Sequence, residues 1–175
     1  MASAPISTLY APAFVIYNVL LNFRAAGNRA KTGILLGGNS PSPITSAAEE
    51  EKKNSQSAGG NPIYRISPRN PLLDRFGVME RAIRAHANFI ENVPLALFSI
   101  YLYEINGAPT SHIHGLLGTL LAARILHAEF GLMLKQNSLG FGRIFGYFGT
   151  IGVYLASAIG LILQNWAKMH NKTKL

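Results

Sequence analysis

The chain has 175 residues, of which 49% are hydrophobic and only 14% are charged, and its formal net charge is +8. The length suits one compact unit, but this apolar content exceeds what the core of a soluble domain needs and points to lipid as the solvent. The absence of cysteine excludes disulfides, thiolate nucleophiles and cysteine-ligated metal sites, and the basic residues are too dispersed for a nucleic-acid footprint, so neither a metal site nor a nucleic-acid partner is expected.

Four apolar stretches in chain order predict an all-α fold, an integral membrane four-helix bundle. Each stretch approaches or exceeds the roughly 20 residues that a spanning helix needs, and only helices satisfy their backbone at that depth without forming a barrel. The first stretch is expected to be retained, because residues 1–9 lack the basic region of a secretory signal. The predicted segments are a short tail at 1–9, spanning helices at 10–26, 72–103, 111–134 and 141–166, and a basic tail at 167–175.

A long polar segment, 27–71, separates the first two predicted helices. It is rich in glycine, serine, asparagine and proline and carries a charge cluster at 49–53, a composition that predicts a mobile loop. Short turns are predicted at 104–110 and 135–140. Lysine and arginine concentrate in the first loop and are absent from the second, so the positive-inside rule places the first and third loops in the cytoplasm.

The second predicted helix carries polar side chains at a depth where lipid normally excludes them. Successive helical residues are rotated by about 100°, which places five polar side chains within an arc of roughly 100° and leaves His86 on the opposite side. Such a face must meet protein, water or a ligand rather than lipid. The five residues are Glu80, Arg81, Arg84, Asn88 and Glu91.

The third and fourth predicted helices carry polar residues towards the same end of the bundle. Arg124 and His127 share one face of the third helix, with Glu129 close behind. Arg143 and Tyr147 lie one turn apart near the start of the fourth. The predicted topology puts these residues in the cytoplasmic halves of their helices, so they are expected to converge on one pocket with the polar face of the second helix.

Small residues recur at spacings of four along the fourth predicted helix. Such stripes let helices approach closely in lipid. The spacing fits a contact within the chain and a seam between subunits equally well. The small residues are Gly142 and Gly146, followed by Gly152, Ala156 and Gly160.

The segment ERAIRAHANFIENVP at 80–94 resembles the helix-two signature of the MAPEG family, the membrane-associated proteins of eicosanoid and glutathione metabolism, and ARILHA at 123–128 resembles its helix-three pattern. The resemblance extends over roughly 74–163 and is nearest to the bacterial-type or uncharacterised branch. It implies a homotrimer that binds glutathione between subunits near the cytosolic face and activates the thiol for attack on a lipophilic electrophile or a lipid hydroperoxide. The expected location is the endoplasmic reticulum or another intracellular membrane in a eukaryote, and the inner membrane in a bacterium.

The resemblance also implies roles for individual residues. Arg143 is the implied catalytic residue, because a permanent cation beside the glutathione thiol enriches the thiolate at neutral pH. The arginine fork suits carboxylates, the Glu91 carboxylate suits the ammonium, and Asn88 suits the peptide groups of glutathione. The implied glutathione-binding set is Arg81, Arg84, Asn88, Glu91, Arg124, His127 and Tyr147.

Three positions depart from the eicosanoid synthase branch of the family. The chain has Ala87 where that branch has an arginine, Gly131 where it has a tyrosine, and Ile144 where it has a serine beside the thiol-activating arginine.

Three functions fit the sequence. The first is a glutathione-dependent transferase or peroxidase. The second is a non-catalytic lipid-binding or scaffold protein of the same architecture, which the departures favour. The third is a proton or ion pathway through buried titratable groups, with Glu80, His127 and Glu129 as its residues.

Overall fold

The computed structural model describes residues 4–33, 71–133 and 141–172, and these form helices joined by one short turn. No strand occurs in those ranges, so the described part of the chain is all-α. Most of the predicted loop 27–71, including the charge cluster 49–53, lies outside the described residues, as does the turn predicted at 135–140. The helices are α1 (Ile6–Thr32), α2 (Pro71–Ile105), α3 (Thr110–Ile125, continued by a π-helical segment, Leu126–Met133) and α4 (Phe141–Lys172).

Helix α1 extends into the sequence that was predicted to begin the first loop. Arg29 and Lys31 occupy its last turn, where cations interact favourably with the helix dipole. Gly33 then ends the helix in the left-handed conformation, with φ of 72°, and its N–H donates to the Ala30 carbonyl. The prediction that the loop begins at residue 27 was therefore wrong by about two helical turns, because composition alone did not locate the glycine cap.

Helices α2 and α3 form the centre of the bundle, with α1 packed on one side of them and α4 on the other. Apolar side chains from all four helices fill the core. The N-terminus of α1 is fixed to the C-terminal end of α2, because the Glu104 carboxylate accepts hydrogen bonds from the backbone N–H groups of Ile6 and Ser7, the latter at 3.1 Å. A carboxylate at the N-terminus of a helix accepts hydrogen bonds from its free N–H groups. Its negative charge also interacts favourably with the positive end of the helix dipole.

Contacts between α2 and α4 show that these two helices run parallel. The hydroxyl groups of Ser99 and Ser157 lie 2.8 Å apart, and the Tyr154 hydroxyl donates to the Asn92 carbonyl, nearer the start of both helices. Residues on α4 therefore share their depth with residues about 58 to 62 positions earlier on α2. This register decides which site residues can lie side by side.

Within the described residues, three helical spans are long and apolar enough to cross a membrane: Ile6–Thr32, Thr110–Met133 and Phe141–His170. Helix α2, with 35 residues, has the length but carries the charged face in its first half, and that face lowers its mean hydropathy. Its role as a fourth spanning helix stays a prediction. Many large apolar side chains of α1 and α4 are exposed on the single chain, as expected for helices that face lipid or another subunit.

Candidate functional site

Arg124 lies at the centre of the polar site and links three helices. Its side chain is only 3% exposed. Nη1 donates to the Asn88 side-chain oxygen at 2.6 Å, whereas Nη2 donates to the Gly146 carbonyl at 2.8 Å and to the Thr150 hydroxyl. Thr150 in turn donates to the Gly146 carbonyl at 2.9 Å. The guanidinium of α3 therefore fixes both α2 and α4 at this depth.

His127 lies one turn further along α3 and is also buried. Its Nδ1 lies 3.3 Å from the backbone carbonyl of Arg143. Since a carbonyl only accepts, Nδ1 carries the proton and donates this bond. A Cβ added at Gly146 would lie 2.5 Å from the His127 Cβ, so the glycine is what lets α4 come this close to the histidine.

Of the remaining polar residues of the α2 face, all except Arg81 are more exposed than Asn88. Arg84 bonds to Glu80 at 3.2 Å, one turn earlier on the same helix, and both side chains are exposed. Glu91 is exposed, and the described residues offer it no hydrogen-bond or ion-pair partner. Arg81 is half-buried, and within the described ranges its Nε has no acceptor. The predicted polar face is thus divided: Asn88 bonds inwards through its side-chain oxygen, Arg81 is half-buried, and the other three charged side chains are exposed.

Arg143 and Tyr147 lie on the outward face of α4, and both are exposed. The Tyr147 ring meets the Phe148 ring edge-on, with centroids 5.5 Å apart. The parallel register of α2 and α4 places Tyr147 level with Asn88 along the bundle. Arg143 lies one turn closer to the N-terminal ends of these helices, level with Arg84. The structure therefore joins Asn88 and Arg124 directly, and it bonds His127 to the backbone of α4 one turn further along. The other predicted site residues lie at matching depths on α2 and α4.

Glu129 belongs to a separate cluster. Its carboxylate accepts from Arg24 at 2.8 Å and from the Tyr17 hydroxyl at 3.2 Å, which ties α1 to the π-helical segment. Glu80 bonds to α2 itself, and His127 bonds to the α4 backbone. The three residues of the predicted proton or ion pathway thus have different partners, and the described structure does not connect them.

Replacing Glu129 by glutamine should lower the stability of the protein more than the same change at Glu80. The first change removes a half-buried ion pair and leaves Arg24 without its carboxylate, at an expected cost of about 1–3 kcal/mol. The second removes an exposed pair within one helix, which contributes about 0.5 kcal/mol or less. Thermal unfolding in detergent measures both variants. Equal shifts in Tm would contradict a bridging role for Glu129.

Glycines set the contact between the π-helical segment of α3 and the start of α4. A Cβ at Gly131 would lie 2.6 Å from the backbone nitrogen of Arg143, and one at Gly142 would lie 2.6 Å from the Phe130 backbone carbon. At Gly152 a Cβ would meet nothing within 4 Å. The first part of the small-residue stripe is therefore a contact within the chain, whereas Gly152 is open to whatever covers α4.

Two features of the site had no usable signal in the sequence. The π-helical segment, Leu126–Met133, changes the direction of successive side chains beyond Arg124, and an ideal helical period does not predict it. Thr150 is buried beside Arg124, yet a lone threonine in an apolar run rarely indicates a site. The glycines at the start of the small-residue stripe, Gly142 and Gly146, did indicate a close helix contact, and the structure shows that the contact is with α3.

The comparisons with known proteins agree with this architecture. The model of the MAPEG family matches residues 7–163. The inner membrane protein YecN of Escherichia coli K12 is 38% identical over 52 residues, which cover 30% of this chain and 40% of YecN, and YecN of Escherichia coli O6:H1 gives the same values. The chain thus spans about two fifths of the length of these curated relatives, and no solved structure matches it significantly.

The family match covers most of the chain, and it confirms the resemblance carried by the motifs of α2 and α3. A membrane protein family also agrees with the three described helices that are long and apolar enough to cross a membrane. The chain therefore belongs to the MAPEG family and is a multi-pass membrane protein.

Proposed function

We propose that the protein is a membrane-bound glutathione-dependent transferase or peroxidase. The observation that carries the proposal is the polar stretch of α2, where exposed Arg84 and Glu91 and half-buried Asn88 offer a cation, a carboxylate and an amide within two helical turns. Glutathione carries complementary groups, namely two carboxylates, a peptide backbone and an ammonium. Membership of a family of glutathione and eicosanoid metabolism supports this ligand.

The contacts of these residues suit them to ligand binding. The exposed Glu91 carboxylate has no partner in the described part of the chain, so it is available to the ammonium of glutathione. Arg84 bonds only to Glu80 there, through an exposed pair that costs little to open. Its fork can then take a carboxylate in two parallel bonds. Arg81, half-buried beside Gly77, is the second candidate cation.

Arg143 is the proposed thiol activator, and Tyr147 a proposed ligand contact. A cysteine thiol titrates near 8.5, so a neighbouring guanidinium that stabilises the thiolate raises the reactive fraction at neutral pH. The thiol proton leaves to solvent. In a transferase, the sulfur then forms a bond to carbon as the leaving group departs. In a peroxidase, two glutathiones are oxidised to the disulfide while the hydroperoxide is reduced to an alcohol and water.

The proposed site needs a second subunit to cover it. Arg84 and Glu91 have no partner on α4 in the described chain, although Arg143 and Tyr147 occupy matching depths. A homotrimer, as the family resemblance implies, would place α4 of a neighbouring copy against this face. Exposed apolar residues of α2, Leu95 and Phe98, would continue the interface deeper in the membrane. Native mass spectrometry in detergent tests the assembly, and the proposal predicts three copies.

Calorimetric titration of the purified protein in detergent with reduced glutathione tests the ligand. We expect binding in the micromolar to millimolar range, conjugation of a halodinitrobenzene or reduction of cumene hydroperoxide, and loss of turnover when Arg143 is replaced by methionine. No binding at millimolar glutathione would refute the proposal.

A non-catalytic lipid-binding or scaffold role is the second candidate. The observation that favours it is the close contact at Gly131, which leaves no room near Arg143 for the tyrosine of the synthase branch. This reading predicts that lipid copurifies with the protein and raises its Tm, whereas glutathione does neither. Glutathione binding with turnover would exclude it.

A further inference from the structure

The bond between Arg124 and Asn88 determines which way the Asn88 amide faces. A guanidinium has only donors, so the group that meets Nη1 at 2.6 Å must be the side-chain oxygen of Asn88. The amide nitrogen, Nδ2, is therefore turned away from Arg124. Asn88 is half-buried, and in the described ranges no acceptor meets Nδ2. Asn88 thus offers two unused N–H donors beside Arg84 and Glu91.

Arg124 itself is buried away from any ligand, although its Nε has no acceptor among the described residues. It is 3% exposed, and both terminal nitrogens already donate to protein acceptors on α2 and α4. The close approach at Gly146 brings the backbone acceptor within 2.8 Å and so holds the guanidinium in place. A fixed cation on the oxygen side of an amide also polarises it and strengthens its N–H groups as donors.

We infer that Arg124 is a positioning residue, which fixes Asn88 as a hydrogen-bond donor and so makes this part of the site selective for a carboxylate or a peptide carbonyl. The inference rests on the proposed glutathione site and revises one expectation about it, since Arg124 acts through Asn88 rather than touching the ligand. A donor-only amide discriminates against ligands that present an N–H at this point, because two opposed donors would both lose their hydration without forming a bond.

Asn88→Asp is the decisive variant because it leaves Arg124 untouched. Aspartate still accepts from Arg124, now as an ion pair, so the Tm should stay within a few degrees of the wild type. It offers no N–H to the ligand, so glutathione should bind at least roughly tenfold more weakly. An Asn88→Asp protein with wild-type affinity would overturn the inference.

A double-mutant cycle shows whether Arg124 acts through Asn88. Arg124→Met should weaken glutathione binding roughly tenfold in the wild-type background and less than about twofold in the Asn88→Ala background. Thr150→Val is the matched control, because it removes another acceptor of the same guanidinium. It should lower the Tm and change the dissociation constant much less than Arg124→Met does, because the Gly146 carbonyl still accepts from the same nitrogen of the guanidinium.

The outcomes separate this inference from the proposed function. If the effects of Arg124→Met and Asn88→Ala on binding are additive, Arg124 does not act through Asn88 and the inference is wrong, although glutathione binding stands. If the wild type itself binds no glutathione, the proposed function fails and the inference fails with it.

Discussion

Replacing Glu91 by glutamine should weaken glutathione binding by at least about tenfold and leave the fold intact. The Glu91 side chain is exposed and makes no hydrogen bond or ion pair with the described residues, so its charge contributes nothing visible to the stability of the single chain. It is also the only carboxylate of the α2 face that is not already paired in the described structure. Losing the bond to a ligand ammonium should cost about 1.5–3 kcal/mol of binding free energy, which is roughly a 10- to 150-fold loss.

Titration calorimetry and thermal unfolding, measured on the same preparation, test this prediction. Arg84→Ala should produce a loss of comparable size, because it removes the cation for a carboxylate of glutathione. His86→Ala is the control on the same helix. The helical period places His86 away from the polar face, so the His86→Ala variant should bind glutathione with an affinity within about twofold of the wild type. A similar loss of affinity in all three variants, together with a lower Tm, would indicate damage to the bundle and contradict a ligand-binding role for Glu91.

The polar face of α2 shows which features of the site could be predicted from the sequence. Helical geometry predicted one polar face on α2, and in the structure Glu80, Arg84 and Glu91 of that face are exposed. It could not predict that Asn88 turns towards Arg124 while Arg84 and Glu91 point outwards, because those directions depend on where α3 and α4 pack. The acceptor that completes the Arg124 site is the backbone carbonyl of Gly146, and a backbone group leaves no signature in a side-chain pattern.

The polar contacts that fix α1 to the other helices could not be predicted from the sequence. The Glu104 carboxylate caps α1 almost a hundred residues away in the chain, and the sequence assigned this glutamate only to a turn. The pairing of Glu129 with Arg24 was missed for the same reason, since the two groups meet only once α1 packs beside α3. The glycine stripe was recognised, but spacing alone could not separate the contact within the chain at Gly146 from the open position at Gly152.

Replacing Gly131 by tyrosine, the residue of the synthase branch, should destroy the fold of the site rather than restore a synthase. The first added atom, Cβ, would lie 2.6 Å from the backbone nitrogen and 2.8 Å from the Cα of Arg143. Backbone atoms cannot rotate aside as a flexible side chain can, so α4 would have to move away from α3. Overpacking of this kind costs about 1–3 kcal/mol for small insertions, and an aromatic ring should exceed that range.

Thermal unfolding in detergent of Gly131→Tyr, Gly131→Ala and Ile144→Ser separates steric from chemical effects. Gly131→Ala should already lower the Tm, because the clash begins at Cβ. Ile144→Ser restores the other synthase residue at an exposed position of α4, so it should leave the Tm nearly unchanged. A stable Gly131→Tyr protein would show that α4 can shift away from α3. If only the two Gly131 variants lose stability, the close contact between α3 and α4 at Arg143 explains why this chain has glycine, and not tyrosine, at position 131.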